Sequence, residues 1–287
     1  MVTVADLTVP ASDGLPLRAT LFSPDAPTHA AIVGGATAVP RGFYRAFATY
    51  LAERGVAVLT YDHRGEGEPP AQLRSSKARM RDWGTLDFAG AIEWTSQRYA
   101  GLPLVVVGHS HGGHALLLAP NNTKIARAMT VATQTGYWRY CAPGERYRVW
   151  LLLNVLAPIA VRLQGYVPGR KLGLGEDLAP GVMREWRAWC MLPDYFFDDP
   201  TMREALQAGS GYDAPTLVVG LSDDTWGTPE AVDAFAKHFP AMQRRTIVPA
   251  DYGLHGVGHF GFFRSKNGAA LWPLVADYFG LQREVAV

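Results

Sequence analysis

The stretch Pro103-Leu104-Val105-Val106-Val107-Gly108-His109-Ser110-His111-Gly112-Gly113-His114-Ala115-Leu116-Leu117-Leu118 decides how the rest of the chain is read. Its apolar run, Leu104 to Val107, suits a strand buried on both faces of a parallel sheet, and Ala115 to Leu118 are good helix formers. Between them lies Gly108-His109-Ser110-His111-Gly112, a G-x-S-x-G pattern. A turn tight enough to join strand to helix leaves almost no room for side chains at those glycines and lifts the serine to an exposed tip. The pentapeptide alone also describes a flexible turn, since Gly fills 30 of 287 positions, so the flanking strand and helix carry the argument for a nucleophile. His109, His111 and His114 could be taken for a metal cluster. Alternate residues diverge at such a turn, and no Cys or carboxylate stands nearby to complete a tetrahedral shell, which favours a nucleophile and no metal.

The chain is long enough for one large α/β domain with an insertion, the preferred reading, or for two small domains. A hydrophobic share of 48%, only 18% charged residues and a net charge of +1 describe a well-cored protein with no general attraction to nucleic acid or anionic surfaces. A small molecule is the expected partner, and a homo-oligomer is compatible with the composition. Cys141 and Cys190 belong to no C-x-x-C pair, and a disulfide between them is not expected in a reducing compartment. Met1 to Pro10 has no basic segment followed by an apolar core, which reads as no secretion signal and a cytoplasmic location. The most apolar run, Val149 to Val161, is broken by Asn154 and Pro158 and is shorter than the roughly 20 residues that cross a bilayer, so no membrane span is expected. It reads as a helix over a pocket.

Ahead of the central stretch, Val2 to Val9 and Leu15 to Phe22 read as a hairpin around Ser12-Asp13-Gly14. A strand, His29 to Gly34, then a small-residue loop, a helix from about Arg41 to Arg54 and a strand, Val56 to Tyr61, follow. A helix over about Thr85 to Tyr99 leads into the central strand, and Ile125 to Ala132 is the strand after it. This alternation predicts a mostly parallel sheet with helices on both faces. It breaks between Gly136 and Gly211, where helical periods over Arg146 to Leu163 and Gly181 to Met191 flank a Gly-rich stretch. Residues 136–211 are therefore expected to be a helical cap inserted into a core built from 1–135 and 212–287. Its aromatics, Trp138, Trp150 and Trp186 among them, are either the core of the cap or the lining of an apolar pocket. Beyond it come a strand over Pro215 to Gly220, a helix begun by Thr228 and Pro229, a strand over Arg245 to Pro249, a Gly-rich loop and a final helix over about Gly268 to Tyr278.

A serine hydroxyl needs an imidazole to take its proton and a carboxylate to hold that imidazole. Asp223 and Asp224 follow one late strand, and His255 and His259 follow the last. In this Ser, Asp, His order the sequence resembles the α/β-hydrolase superfamily over nearly its whole length. The resemblance rests on the Ser-Asp-Gly hairpin, Tyr61-Asp62-His63-Arg64-Gly65-Glu66-Gly67, the Gly108–Gly112 turn, Ser222-Asp223-Asp224 and Gly258-His259-Phe260. Gly35-Ala36-Thr37, Asp82-Trp83-Gly84 and Gly258 to Phe263 further resemble a group of predicted bacterial hydrolases. The resemblance implies Ser110 as nucleophile, His259 as general base in preference to His255, and Asp224 as acid in preference to Asp223. Oxyanion donors would be the amides of His111 and of Ala36 or Thr37, although Gly34-Gly35 stands where the family commonly has His-Gly. Asp62, Arg64 and Gly67 are expected to form a structural turn.

The expectation is a serine hydrolase that cleaves a carboxylic ester or related acyl bond of a hydrophobic small molecule through an acyl-serine, with no cofactor. The alternatives are an acyltransferase using the same intermediate, a C–C bond hydrolase or lactonase, and a binding protein that retained the fold.

Overall fold

β1 (Val2–Pro10) and β2 (Pro16–Pro24) form the expected antiparallel hairpin, with Gly14 at φ 84° making its left-handed corner. The computed structural model describes residues 1–281. Its further strands are β3 (His29–Gly34), β4 (Val56–Tyr61), β5 (Leu104–His109), β6 (Ile125–Val131), β7 (Thr216–Leu221) and β8 (Met242–Ile247). They join one sheet in the order β1-β2-β4-β3-β5-β6-β7-β8. β2 meets β4 antiparallel, and from β4 to β8 every pairing is parallel. Every residue of β4, β5 and β7 is buried, which is why those strands read as unbroken apolar runs.

β8 begins three residues earlier than Arg245 and ends at Ile247. It is an edge strand whose Gln243, Arg244 and Arg245 carry no apolar signal, and its register is set by pairing with β7, from Thr216–Met242 to Leu221–Ile247. Pro249 has no N–H to give the ladder and opens a 3-10 turn instead. Proline also divides the last helix into Ser265–Leu271 and Pro273–Phe279. The helix before β5 starts early, at Met80, and passes through a π turn, Trp83–Phe88, before Ala89–Arg98. Thr228 caps its helix as read, accepting the Ala231 N–H ahead of Pro229–Ala236.

The helix after β5 is shorter than the good helix formers Ala115 to Leu118 suggest: it starts at His111, directly after Ser110, and is α-helical only to His114 before a 3-10 turn, Ala115–Leu117. Glycine is a poor helix former, yet Gly112 and Gly113 sit inside this turn because backbones must pass there. A Cβ on Gly112 would lie 2.1 Å from Gly34 O, and one on Gly113 would lie 2.1 Å from Thr133 Oγ1. Between β6 and β7 the described residues form helices and one isolated bridge, Val167–Leu178. The main helices are Pro143–Leu151, Ala157–Gln164, Pro180–Cys190 and Arg203–Ala208, with a π turn at Leu152–Leu156.

Two apolar clusters cover the sheet. One gathers Trp83, Phe88, Leu116, Val149, Leu153, Trp189 and Phe235, so the helices after β6 share a core with the main body. The other gathers Tyr44, Phe47, Phe262, Phe263 and Trp272 against the inner strands. Each fully buried phenylalanine contributes about 1.5–3 kcal/mol by leaving water. Gly112→Ala should lower stability by about 1–3 kcal/mol in urea unfolding because rigid backbone must move, whereas Gly42→Ala, with nothing within 4 Å of the added carbon, should be close to neutral.

Candidate active site

Ser110 has φ 51° and ψ −112°, a strained conformation for a residue with a side chain. Two close approaches hold it. A Cβ on Gly108 would stand 2.6 Å from Gly113 N, so strand and helix fold back on one another, and the Ser110 N–H donates to Val131 O at 2.9 Å. The Ser110 carbonyl accepts from Gly113 N and from Thr133 Oγ1. Ser110 borders a cavity of about 270 Å³ together with His259 and residues of the helices after β6. Its residual exposure is 8%.

Asp224 and His259 meet behind that cavity. Asp224 Oδ2 lies 2.6 Å from His259 Nδ1, while its Oδ1 accepts the Trp226 and Gly227 amides at 2.9 Å. Burial, the largest influence, would raise the Asp224 pKa, but the His259 charge, its hydrogen bond and the two amides together hold it below the usual carboxylate value. Asp223 does different work. Its exposed carboxylate accepts Val257 N at 2.7 Å and Gly258 N at 3.0 Å, clamping the loop that carries His259. His255 is exposed and does not border the cavity. Among the described residues no hydrogen bond joins Ser110 Oγ to His259; such contacts commonly tighten only around bound substrate.

The amide of His111 opens the helix after Ser110 and, among the described residues, has no acceptor. Of the two candidates on the loop after β3, Ala36 is excluded, because its N–H donates to Tyr44 Oη at 2.8 Å. Thr37 borders the cavity, and its amide has no acceptor among the described residues. Ala38 beyond it stands at φ 62° and donates its N–H to Glu66 Oε1 at 2.9 Å.

Tyr44 also bonds His109 Nδ1 at 2.8 Å, and His109 Nε2 bonds the His259 carbonyl at 2.9 Å. Burial pushes the His109 pKa down to about 3, so its neutral ring accepts from the phenol at one nitrogen and donates to the carbonyl from the other. His109 thus turns away from His111 and His114, whose rings pack edge to face on each other at 5.5 Å, with Trp83 against His111 and Tyr195 against His114. In the Asp62–Gly67 turn Asp62 accepts the Arg41 amide and guanidinium, and Arg64 bridges Asp87 and Asp13.

Of the three tryptophans singled out, only Trp186 lines the cavity. Trp138 packs on Tyr147, and Trp150 is 40% exposed on the outside of its helix, since the inward positions there go to Val149 and Leu153. Trp226, Tyr195 and Phe260 line it instead. Nothing in local spacing marks them, because they arrive from three separate segments. Cys141 and Cys190 are free, buried, and part of the same wall.

The sheet order and the placement of the Ser, Asp and His positions at strand ends define an α/β-hydrolase. The chain belongs to the Hydrolase_4 family, described as serine aminopeptidase, S33, whose model matches residues 38–210, more than half of its length. No curated protein matches it. Among solved structures it is similar to DcsB in complex with its substrate analogue (15% identity, TM-score 0.65, 97% of this chain and 98% of that one). It is also similar to a soluble variant of monoglyceride lipase from Saccharomyces cerevisiae (15% identity, TM-score 0.61, 95% of each chain). An esterase from Pyrococcus furiosus is a third (13% identity, TM-score 0.54, 97% and 90%). At these identities the likeness is one of fold.

Tyr44→Phe should lower stability by about 1–3 kcal/mol in urea unfolding, since it strands the buried Ala36 N–H. The lowered Asp224 pKa means that its pairing stabilises the fold fully above the ordinary value of 3.8 and is lost as pH falls through the lower folded value. The stability gap between wild type and Asp224→Asn should therefore narrow below about pH 4.

Proposed function

We propose that this chain is a serine esterase acting on a hydrophobic small-molecule ester. The observation that carries the reading is His259, paired at 2.6 Å with the buried Asp224 behind it, bordering the same cavity as a left-handed Ser110. Asp224 holds the Nδ1–H of His259, leaving Nε2 to take the Ser110 proton as Oγ attacks the ester carbonyl. The amides of His111 and Thr37 receive the developing oxyanion. His259 then protonates the leaving alcohol, and water, activated by the same imidazole, releases the acid from acyl-Ser110.

Residues 136–211 serve in this reading as a cap that shapes the substrate end of the cavity through Val149, Leu174, Trp186 and Tyr195. The family's description names an aminopeptidase, and a peptide α-ammonium would need a free carboxylate. Glu145, the one carboxylate among the lining residues, already accepts from Trp226 Nε1 at 2.9 Å and Arg148 at 3.1 Å. An uncharged ester fits this wall better.

Ser110→Ala should lower kcat on a p-nitrophenyl ester by at least about 10³-fold and abolish fluorophosphonate labelling with unfolding unchanged. Retention of near-wild-type turnover would overturn the assignment. Asp224→Ala should approach the same loss, while Asp223→Ala, which frees the loop without unpairing His259, should cost about tenfold or less.

A further inference from the structure

Apolar residues that no part of the main body covers lie along the run Pro143–Gln164. Tyr147 is 69% exposed, Leu151 46%, Ile159 51% and Leu163 76%, while Val149, Leu153 and Ala157 are turned inward. In an unbroken α-helix a stripe of fourth residues drifts around the axis, by about 40° at each step. Across the middle of this run the drift is offset, because Leu152–Leu156 is a π turn that takes up one extra residue. Pro158 supplies the cause, since it has no N–H to return to Asn154 and its ring crowds that carbonyl. Leu151 and Ile159 are separated in phase by about seven ordinary positions, about 20° short of two full turns. The two halves of the stripe therefore share one outer face.

The charges on this run are one-sided. From Arg146 to Gln164 there are three arginines and no Asp or Glu. The one carboxylate of the run, Glu145, is turned inward to Trp226 and Arg148. Arg162 is exposed beside Leu163, and Trp150, 40% exposed, adds an amphipathic ring to the margin of the same helix. Aromatic and aliphatic side chains on one face, with Arg162 exposed beside them and the one acid of the run turned inward, match the boundary between acyl chains and anionic headgroups. A second copy fits less well, since the run carries three arginines to one carboxylate, and Glu145 is already taken by Arg148 and Trp226, so two-fold pairing leaves Arg162 facing basic groups with no free acid on the same run. No helix among the described residues is long and apolar enough to cross a membrane, so the run would lie along the surface.

We propose that the outer face of Pro143–Gln164 docks on an anionic lipid surface. Glu145, Arg148 and Val149 of the same run border the cavity, so docking places its wall next to the lipid and gives apolar substrates a short path to Ser110.

The test is cosedimentation of the full chain with phosphatidylglycerol–phosphatidylcholine vesicles and with phosphatidylcholine alone. Wild type should bind the anionic vesicles at least tenfold more tightly than the neutral ones. Ile159→Glu with Leu163→Glu should reduce that binding at least tenfold while leaving hydrolysis of a water-soluble short ester unchanged. Arg162→Gln, which removes no apolar contact, should weaken binding about fivefold by losing one basic contact. Ser110→Ala should bind as wild type does, so failure of the esterase reading would leave docking measurable. Absence of wild-type binding, equal binding to both vesicle types, or a wild-type dimer that the double substitution disperses would each overturn the proposal, the last by assigning the face to a second copy.

Discussion

A line of hydrogen bonds from the Ala36 amide through Tyr44 Oη and the His109 ring to the His259 carbonyl holds the site together. It joins the loop after β3, the end of β5 and the loop after β8, three segments that a parallel sheet brings to one edge but does not by itself align. Ala36, Tyr44 and His109 are buried, so an unmade bond among them would leave a desolvated polar atom. That cost makes the arrangement specific: His109 must be neutral, must accept at Nδ1 and must donate at Nε2. The line also consumes the Ala36 amide, which leaves Thr37 and His111 as the amides beside Ser110 without an acceptor among the described residues.

Around this line the strain at Ser110 is supported by missing side chains. Gly108 and Gly112 let strand, turn and helix approach at distances no Cβ would permit, so the left-handed serine is over-determined by its neighbours. On the other side of the cavity the helices after β6 are latched to the acid loop. Ala142 N donates to Thr225 O, Thr228 Oγ1 to Tyr140 O and Trp226 Nε1 to Glu145. Trp226 N in turn donates to Asp224, so any shift of these helices is felt at the carboxylate that holds His259. The cavity wall and the orientation of His259 are coupled through one short loop.

Parallel strands buried on both faces are written as continuous apolar runs, and β3 to β7 could be read directly from them. β8 could not be bounded this way, because an edge strand of Gln243, Arg244 and Arg245 owes its register to its neighbour. The helix after β5 is likewise shaped by contact: Ala115 to Leu118 are good helix formers, yet the α-helical turn is His111–His114, where the backbone passes close to Gly34. Asp223 and Asp224, adjacent and alike in the sequence, part into two tasks only when one side chain turns inward to His259 and the other outward to the Val257 and Gly258 amides.

The sequence by itself determined the alternating sheet, the Gly-x-Ser-x-Gly bend and the order in which Ser, Asp and His appear, because periodicity and glycine placement are local properties of a chain. Tertiary structure alone decided which Asp pairs with His259, which amide remains open beside Ser110, that His109 is a structural relay, and that Trp186 and Trp226 rather than Trp138 and Trp150 line the cavity. Those outcomes depend on which buried polar and aromatic groups from distant segments meet, and desolvation makes only a few such meetings tolerable.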